Sequence, residues 1–125
     1  MSHISKISLE IKNLQVLKKA CAKLGAVFHE GQTEQIYYMG KQKCDHAISH
    51  VDAKYEIGIV KSGKNWELQW DSYFAGGLES IFGKDAGLLK QRYAVEQTKF
   101  TAMLKGMAVS EKLKENGEIV LVVNL

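Results

Sequence analysis

Proline is absent from the 125 residues, arginine occurs once, at Arg92, and cysteine twice, at Cys21 and Cys44. With no proline-rich or serine-rich tract, no block of like charges and no fixed-period repeat, nothing marks a linker, a repeat array or a disordered tail. Residues 1–125, 46% of them hydrophobic, are therefore expected to form one domain around one core. Seventeen basic residues against fourteen acidic give a net charge of +3, but the basic side is almost all lysine. Scattered lysine mostly solvates a surface, whereas phosphates and guanine edges favour a planar guanidinium fork, so nucleic acid ranks behind other partners. No apolar run approaches the roughly 20 residues of a membrane span, and MSHISKISLEI lacks the positive region and apolar core of a secretory signal. The expectation is a soluble cytoplasmic protein, with no membrane partner, whose two distant cysteines stay reduced.

What is present reads as alternating strands and helices. Ile7, Leu9 and Ile11 alternate with polar residues as a half-buried strand. Asn13 is a helix N-cap, and Leu14, Leu17, Cys21 and Leu24 then recur at helical spacing until Gly25 supplies a left-handed stop. Cys21 is thus a small core residue. Residues 26–30 and 35–39 are short strand candidates. Tyr55, Ile57 and Ile59 alternate toward the turn Ser62-Gly63-Lys64-Asn65, and Trp66, Leu68 and Trp70 alternate after it, which makes a hairpin with one aromatic, apolar face.

Gly76-Gly77 breaks the sheet before a short helix, LESIF, which Gly83 ends. Asp85 is positioned to cap a longer helix over about 86–105, with a stripe of Leu89, Tyr93, Phe100 and Leu104 widened by Val95, Ala102 and Met103. On it Glu96 lies four residues from Arg92 and three from Lys99, a solvated ion-pair lattice rather than an active carboxylate. Asn116-Gly117 signals a type I′ hairpin whose last strand, apolar on both faces, suits a covered position. The order predicts an α+β fold, a mainly antiparallel sheet with two principal helices on one face: a ferredoxin-like variant with extra hairpins. An open sheet edge also makes a homodimer a candidate assembly.

The segments MSHISKISLEIKNLQVLKKA, CDHAI, YEIGIV, ELQWDSY and GGLESIFGKDAGLLKQRYAVEQTKF, with the closing NGEIVLVV, resemble the hypothetical chloroplast reading frame thirty-five family of cyanobacteria, plastids and some bacteria and phages. The resemblance spans nearly the whole chain. It implies a small intracellular domain, in a plastid stroma where plastid-encoded, and it brings no activity, cofactor or catalytic residue.

The run Lys43-Cys44-Asp45-His46-Ala47-Ile48-Ser49-His50 is the densest group of chemically active side chains. Were residues 43–50 one strand, Cys44, His46, Ile48 and His50 would share a face, with Cys44 and His46 roughly 6–7 Å apart by strand rise. His50 would then stand roughly 13 Å from His46. The candidate metal ligands are therefore Cys44, His46 and His50, and a zinc site would draw the rest from His3, His29, Asp45 or Asp52. One functional alternative is a metal- or thiol-dependent enzyme centred on Cys44 and His46, with Asp45 or Asp71 as an acid or base. No nucleophile elbow, phosphate-binding glycine loop, CxxC or HExxH element accompanies it. The preferred expectation is a non-enzymatic protein-binding or adaptor module that offers Leu78, Ile81 and Phe82, with Trp70, to a protein partner. The competing structural role for those four residues is core packing.

Overall fold

The computed structural model describes residues 3–124. Strands β1 (Ser5–Ile11), β2 (Val27–His29), β5 (His46–Ser49), β6 (Ile57–Ser62) and β7 (Asn65–Trp70) form one sheet in the order β1-β7-β6-β5-β2, with every neighbouring pair antiparallel. Two hairpins lie outside it, β3 (Glu34–Tyr37) with β4 (Gly40–Lys43), and β8 (Ala108–Leu113) with β9 (Ile119–Asn124). The helices are α1 (Leu14–Lys23), α2 (Leu78–Phe82) and α3 (Gly87–Leu104). This is the expected α+β fold with a mainly antiparallel sheet. The strand order adds that β1 and β2, joined through α1, occupy opposite edges.

Local chemistry explains the main elements. Asn13 Oδ1 accepts from the backbone N–H of Gln15 (2.8 Å) and Val16 (3.4 Å), satisfying two of the free donors at the start of α1, and Gly25 leaves the helix at φ +74°. Alternation then places Ile7, Ile11, Leu68, Trp70, Ile57, Ile59 and Ile48 toward α1 and α3, where Leu17, Cys21, Phe82, Leu89 and Tyr93 complete the core. Each such side chain contributes roughly 1.5–3 kcal/mol by leaving water.

The other face of the sheet is covered by the β3–β4 hairpin, and the cover is polar. Gln35 is fully buried; its Nε2 donates to the carbonyls of Glu56 (2.9 Å) and Gln69 (3.1 Å), and its Oε1 accepts from Gln69 Nε2 (2.7 Å). Gly58 makes this possible, because a Cβ there would stand 1.8 Å from Gln35 Oε1. A glycine inside a strand here marks the close approach of another side chain.

Several expectations need correction. Asp85 caps nothing: Asp85 and Ala86 both take left-handed φ (54° and 59°) in the tight reversal between α2 and α3, and α3 starts at Gly87 without a side-chain cap. Met103 and Leu104 are exposed, since the end of α3 extends past the core. Glu96 is buried rather than solvated, because β8 lies over that side of α3: Arg92 Nη1 contacts Glu96 Oε2 at 3.1 Å and Glu111 Oε1 at 3.0 Å, and Lys99 also pairs with Glu111. The Asn116-Gly117 turn is not type I′. Only Gly117 has positive φ (88°), Asn116 Oδ1 accepts from Glu118 N–H, and Lys114 N–H closes the loop on the Glu118 carbonyl, a three-residue loop with glycine in the left-handed position. Finally, among the described residues β9 pairs only with β8, so it is an edge strand and not a central one.

Candidate interaction surface

The cysteine-histidine run is not one strand. β4 ends at Lys43 and β5 begins at His46, so Cys44 and Asp45 carry the chain from the hairpin into the main sheet. Cys44 still belongs to the hairpin side, its N–H donating to the Thr33 carbonyl and its thiol to the Gln32 carbonyl (3.3 Å). Asp45 belongs to the sheet side: its N–H donates to the Ile59 carbonyl (2.8 Å), and its Oδ2 accepts from Lys61 N–H (2.8 Å). The crossing separates the thiol from the imidazoles.

Each histidine of the run is occupied with structure. His46 lies between the rings of Phe28 (5.6 Å) and Trp66 (5.0 Å), and its Nδ1 accepts from Gly31 N–H (2.9 Å). His50 Nδ1 accepts from Asp52 N–H (3.0 Å), with its ring edge toward Phe82. Among the described residues no three His, Cys, Asp or Glu side chains gather closely enough to hold a metal ion. Burial pushes the Cys44 thiol up to about 11 and the Cys21 thiol up to about 12, so both are protonated at neutral pH and weak as nucleophiles.

Elsewhere, His29 Nε2 and Ser49 Oγ stand 2.6 Å apart across β2 and β5. No carboxylate among the described residues hydrogen-bonds the other nitrogen of that ring, so the orienting third member of a nucleophilic triad is lacking.

The residues expected to meet a partner lie inside. Leu78 and Phe82 are fully buried and Trp70 is 3% exposed, while Ile81 packs half-buried against the same core. The Gly-punctuated segment turns the apolar face of α2 inward, so Leu78, Phe82 and Trp70 offer no surface and Ile81 only part of one.

The surface lies beside them. Tyr38 and Met39 form the tip of the β3–β4 hairpin, and Tyr73 and Phe74 the loop after β7. All four are exposed, Phe74 at 82%. The Tyr38 and Tyr73 rings meet edge-to-face at 5.6 Å, and Tyr73 meets Phe74 at 4.8 Å. Beneath them Asp71 is buried, and its two carboxylate oxygens accept the backbone N–H groups of Tyr38 (3.2 Å) and Tyr73 (3.0 Å). One side chain thus ties the hairpin tip to the loop. Phe74 begins a 3₁₀ turn, Phe74–Gly76, seated on the Tyr55 ring so closely that a Cβ at Gly76 would come within 2.0 Å of it. Lys54 borders this turn through its N–H, which donates to the Gly76 carbonyl (2.8 Å).

None of the four residues was expected at a site. The available signal was Tyr-Tyr-Met ending at Gly40 and Tyr-Phe ending at Gly76-Gly77, large apolar side chains where the alternation stops. Compared with known family models, curated proteins and solved structures, the chain shows no match. No helix of the described residues is long and apolar enough to cross a membrane.

Proposed function

We propose that the chain is a protein-binding module whose contact surface is the cluster of Tyr38, Met39, Tyr73 and Phe74. The carrying observation is that these exposed side chains, from two separate segments, are held together by the buried Asp71 carboxylate. Tyrosine, phenylalanine and methionine are enriched in the cores of protein interfaces, and a partner gains most from aromatic anchors whose positions are set before binding. The Gly76–Tyr55 packing fixes the backbone turn that carries Phe74, and the Tyr73 ring meets the Phe74 ring on one side, so less order has to be imposed on contact. We further propose, on the sequence segments alone, that the chain belongs with the hypothetical chloroplast reading frame thirty-five family, which brings no partner or activity with it.

The test is site-specific photo-crosslinking in the host, with benzoylphenylalanine at position 74 and, as a control, at Lys64 in the β6–β7 turn. A discrete adduct at position 74 that is missing at position 64, and that weakens when Tyr73→Ala is added, is the expected outcome. Equal labelling at both positions would remove this reading.

A further inference from the structure

The β8–β9 hairpin stands apart from the main sheet, and its two edges differ. β8 carries Glu111 and Lys112, whereas β9, Ile-Val-Leu-Val-Val-Asn, has neither charge nor proline, the usual devices that keep an edge from pairing. The Lys114 N–H to Glu118 carbonyl bond sets the alternation of the ladder. It turns the backbone groups of Val120 and Val122 toward β8 and those of Ile119, Leu121 and Val123 outward, where no backbone or side-chain partner meets them among the described residues. This edge is far from Tyr38 and Phe74 in the chain and independent of the function proposed above.

We propose that β9 pairs antiparallel with β9 of a second copy of this chain, about a two-fold axis at Leu121, to make a four-stranded sheet. A two-fold edge must be complementary to itself, and this one is. Leu121 opposes its own copy, Ile119 opposes Val123, and each such pair exchanges both of its N–H···O bonds. On the outer face Val120 comes to lie opposite Val122, so apolar side chains meet apolar ones and no like charges are juxtaposed.

The helices leave room, because α3 is fastened to β8 through Arg92, Lys99 and Glu111 rather than to β9. The two β8 strands lie three strand spacings apart, roughly 14 Å, more than the packing distance of two helices, about 8–10 Å.

Sedimentation of the full chain over a concentration series, with Val120→Glu and Val122→Lys variants, tests this. The expected result is a concentration-dependent dimer for the wild type and at least about a tenfold weaker association for each variant alone. An equimolar mixture of the two variants should restore the dimer, since the carboxylate introduced in one chain then opposes the ammonium introduced in the other. Circular dichroism and melting of each variant, unchanged from wild type, show that the hairpin itself is intact. A wild type that stays monomeric to about 1 mM overturns the proposal. So does a dimer that neither variant weakens, or one that both weaken and the mixture fails to restore.

Discussion

The two hairpins outside the main sheet are fastened differently, one by hydrogen bonds to the sheet and the other by ion pairs to a helix. β3–β4 lies on the sheet through the hydrogen bonds of a fully buried glutamine, at a spot where Gly58 clears the space for it, and through the backbone N–H groups of Ile36 and Tyr38, which donate to the Glu56 and Asp71 carboxylates. β8–β9 lies on α3 through charge, with Arg92 and Lys99 bridging Glu96 and Glu111. A buried amide network depends on shape and hardly on salt, whereas ion pairs between a hairpin and a helix are screened by it. The first hairpin carries the aromatic surface and needs a fixed position. The second carries an unpaired strand edge and is held by contacts that solution conditions can weaken.

The sharpest way to break the contrast is at Gly58. A Cβ there collides with Gln35 Oε1, and the amide cannot retreat without giving up three hydrogen bonds in a dry setting. Gly58→Ala is expected to cost about 3 kcal/mol in denaturant unfolding, and hydrogen exchange should show β3–β4 opening first. Gln35→Ala in the same background should recover part of that loss, because it removes the colliding atom. A double variant no better than Gly58→Ala would show that the steric argument is misplaced.

At the second hairpin, Glu96→Gln removes the buried partner of Arg92 while keeping its shape. The expected loss is about 1–3 kcal/mol, since Arg92 keeps only Glu111. Exchange protection should fall in β8–β9 and stay constant in β3–β4. Equal loosening of both hairpins would mean that they form one cooperative unit.

Acidification loosens β8–β9 more gently. The hydrogen bond from Lys99, helped by the Arg92 guanidinium, holds the Glu111 carboxyl below the usual carboxylate range, although burial opposes them. A carboxyl lowered on folding adds stability that is fully present above its unfolded value, near about 4.3, and is lost as pH falls through the lower folded value. The opening equilibrium of β8–β9, read from amide exchange corrected for its intrinsic pH dependence, should therefore rise below about pH 4. An opening equilibrium of β8–β9 that stays constant down to about pH 3 would remove Glu111 as the fastening group.

How much of this could be read beforehand followed the kind of burial. Alternation and helical spacing located Ile7 and Ile11, the stripe Leu17-Cys21 and the Trp66-Leu68-Trp70 face, because apolar burial leaves a period in the sequence. Polar burial leaves none. Gln35 reads only as the start of a short strand and Glu96 as part of a solvated helix face, until Gly58 is seen to leave room for the one and β8 to cover the other. The run from Cys44 to His50 misled for a related reason: spacing along an assumed strand says nothing of the crossing at Cys44-Asp45, which long-range bonds to Thr33, Ile59 and Lys61 impose. Leu78 and Phe82 were legible as apolar but not as inward-facing, since a helix of five residues is too short to show which side it buries.

The smallest effect on stability belongs to the aromatic surface, and there the contrast with Phe82 decides the matter. Phe82 and Phe74 stand eight positions apart on either side of Gly76-Gly77, one fully buried and the other 82% exposed. Phe82→Ala should cost about 3–5 kcal/mol by opening a cavity beneath α2. Phe74→Ala, which removes a side chain already in water, should change unfolding by no more than about 0.5 kcal/mol while abolishing most of the crosslinked adduct formed from a probe at Tyr38. If Phe74→Ala instead unfolds the chain as Phe82→Ala does, the ring is a prop for the Tyr73 loop and the surface built around it loses its anchor.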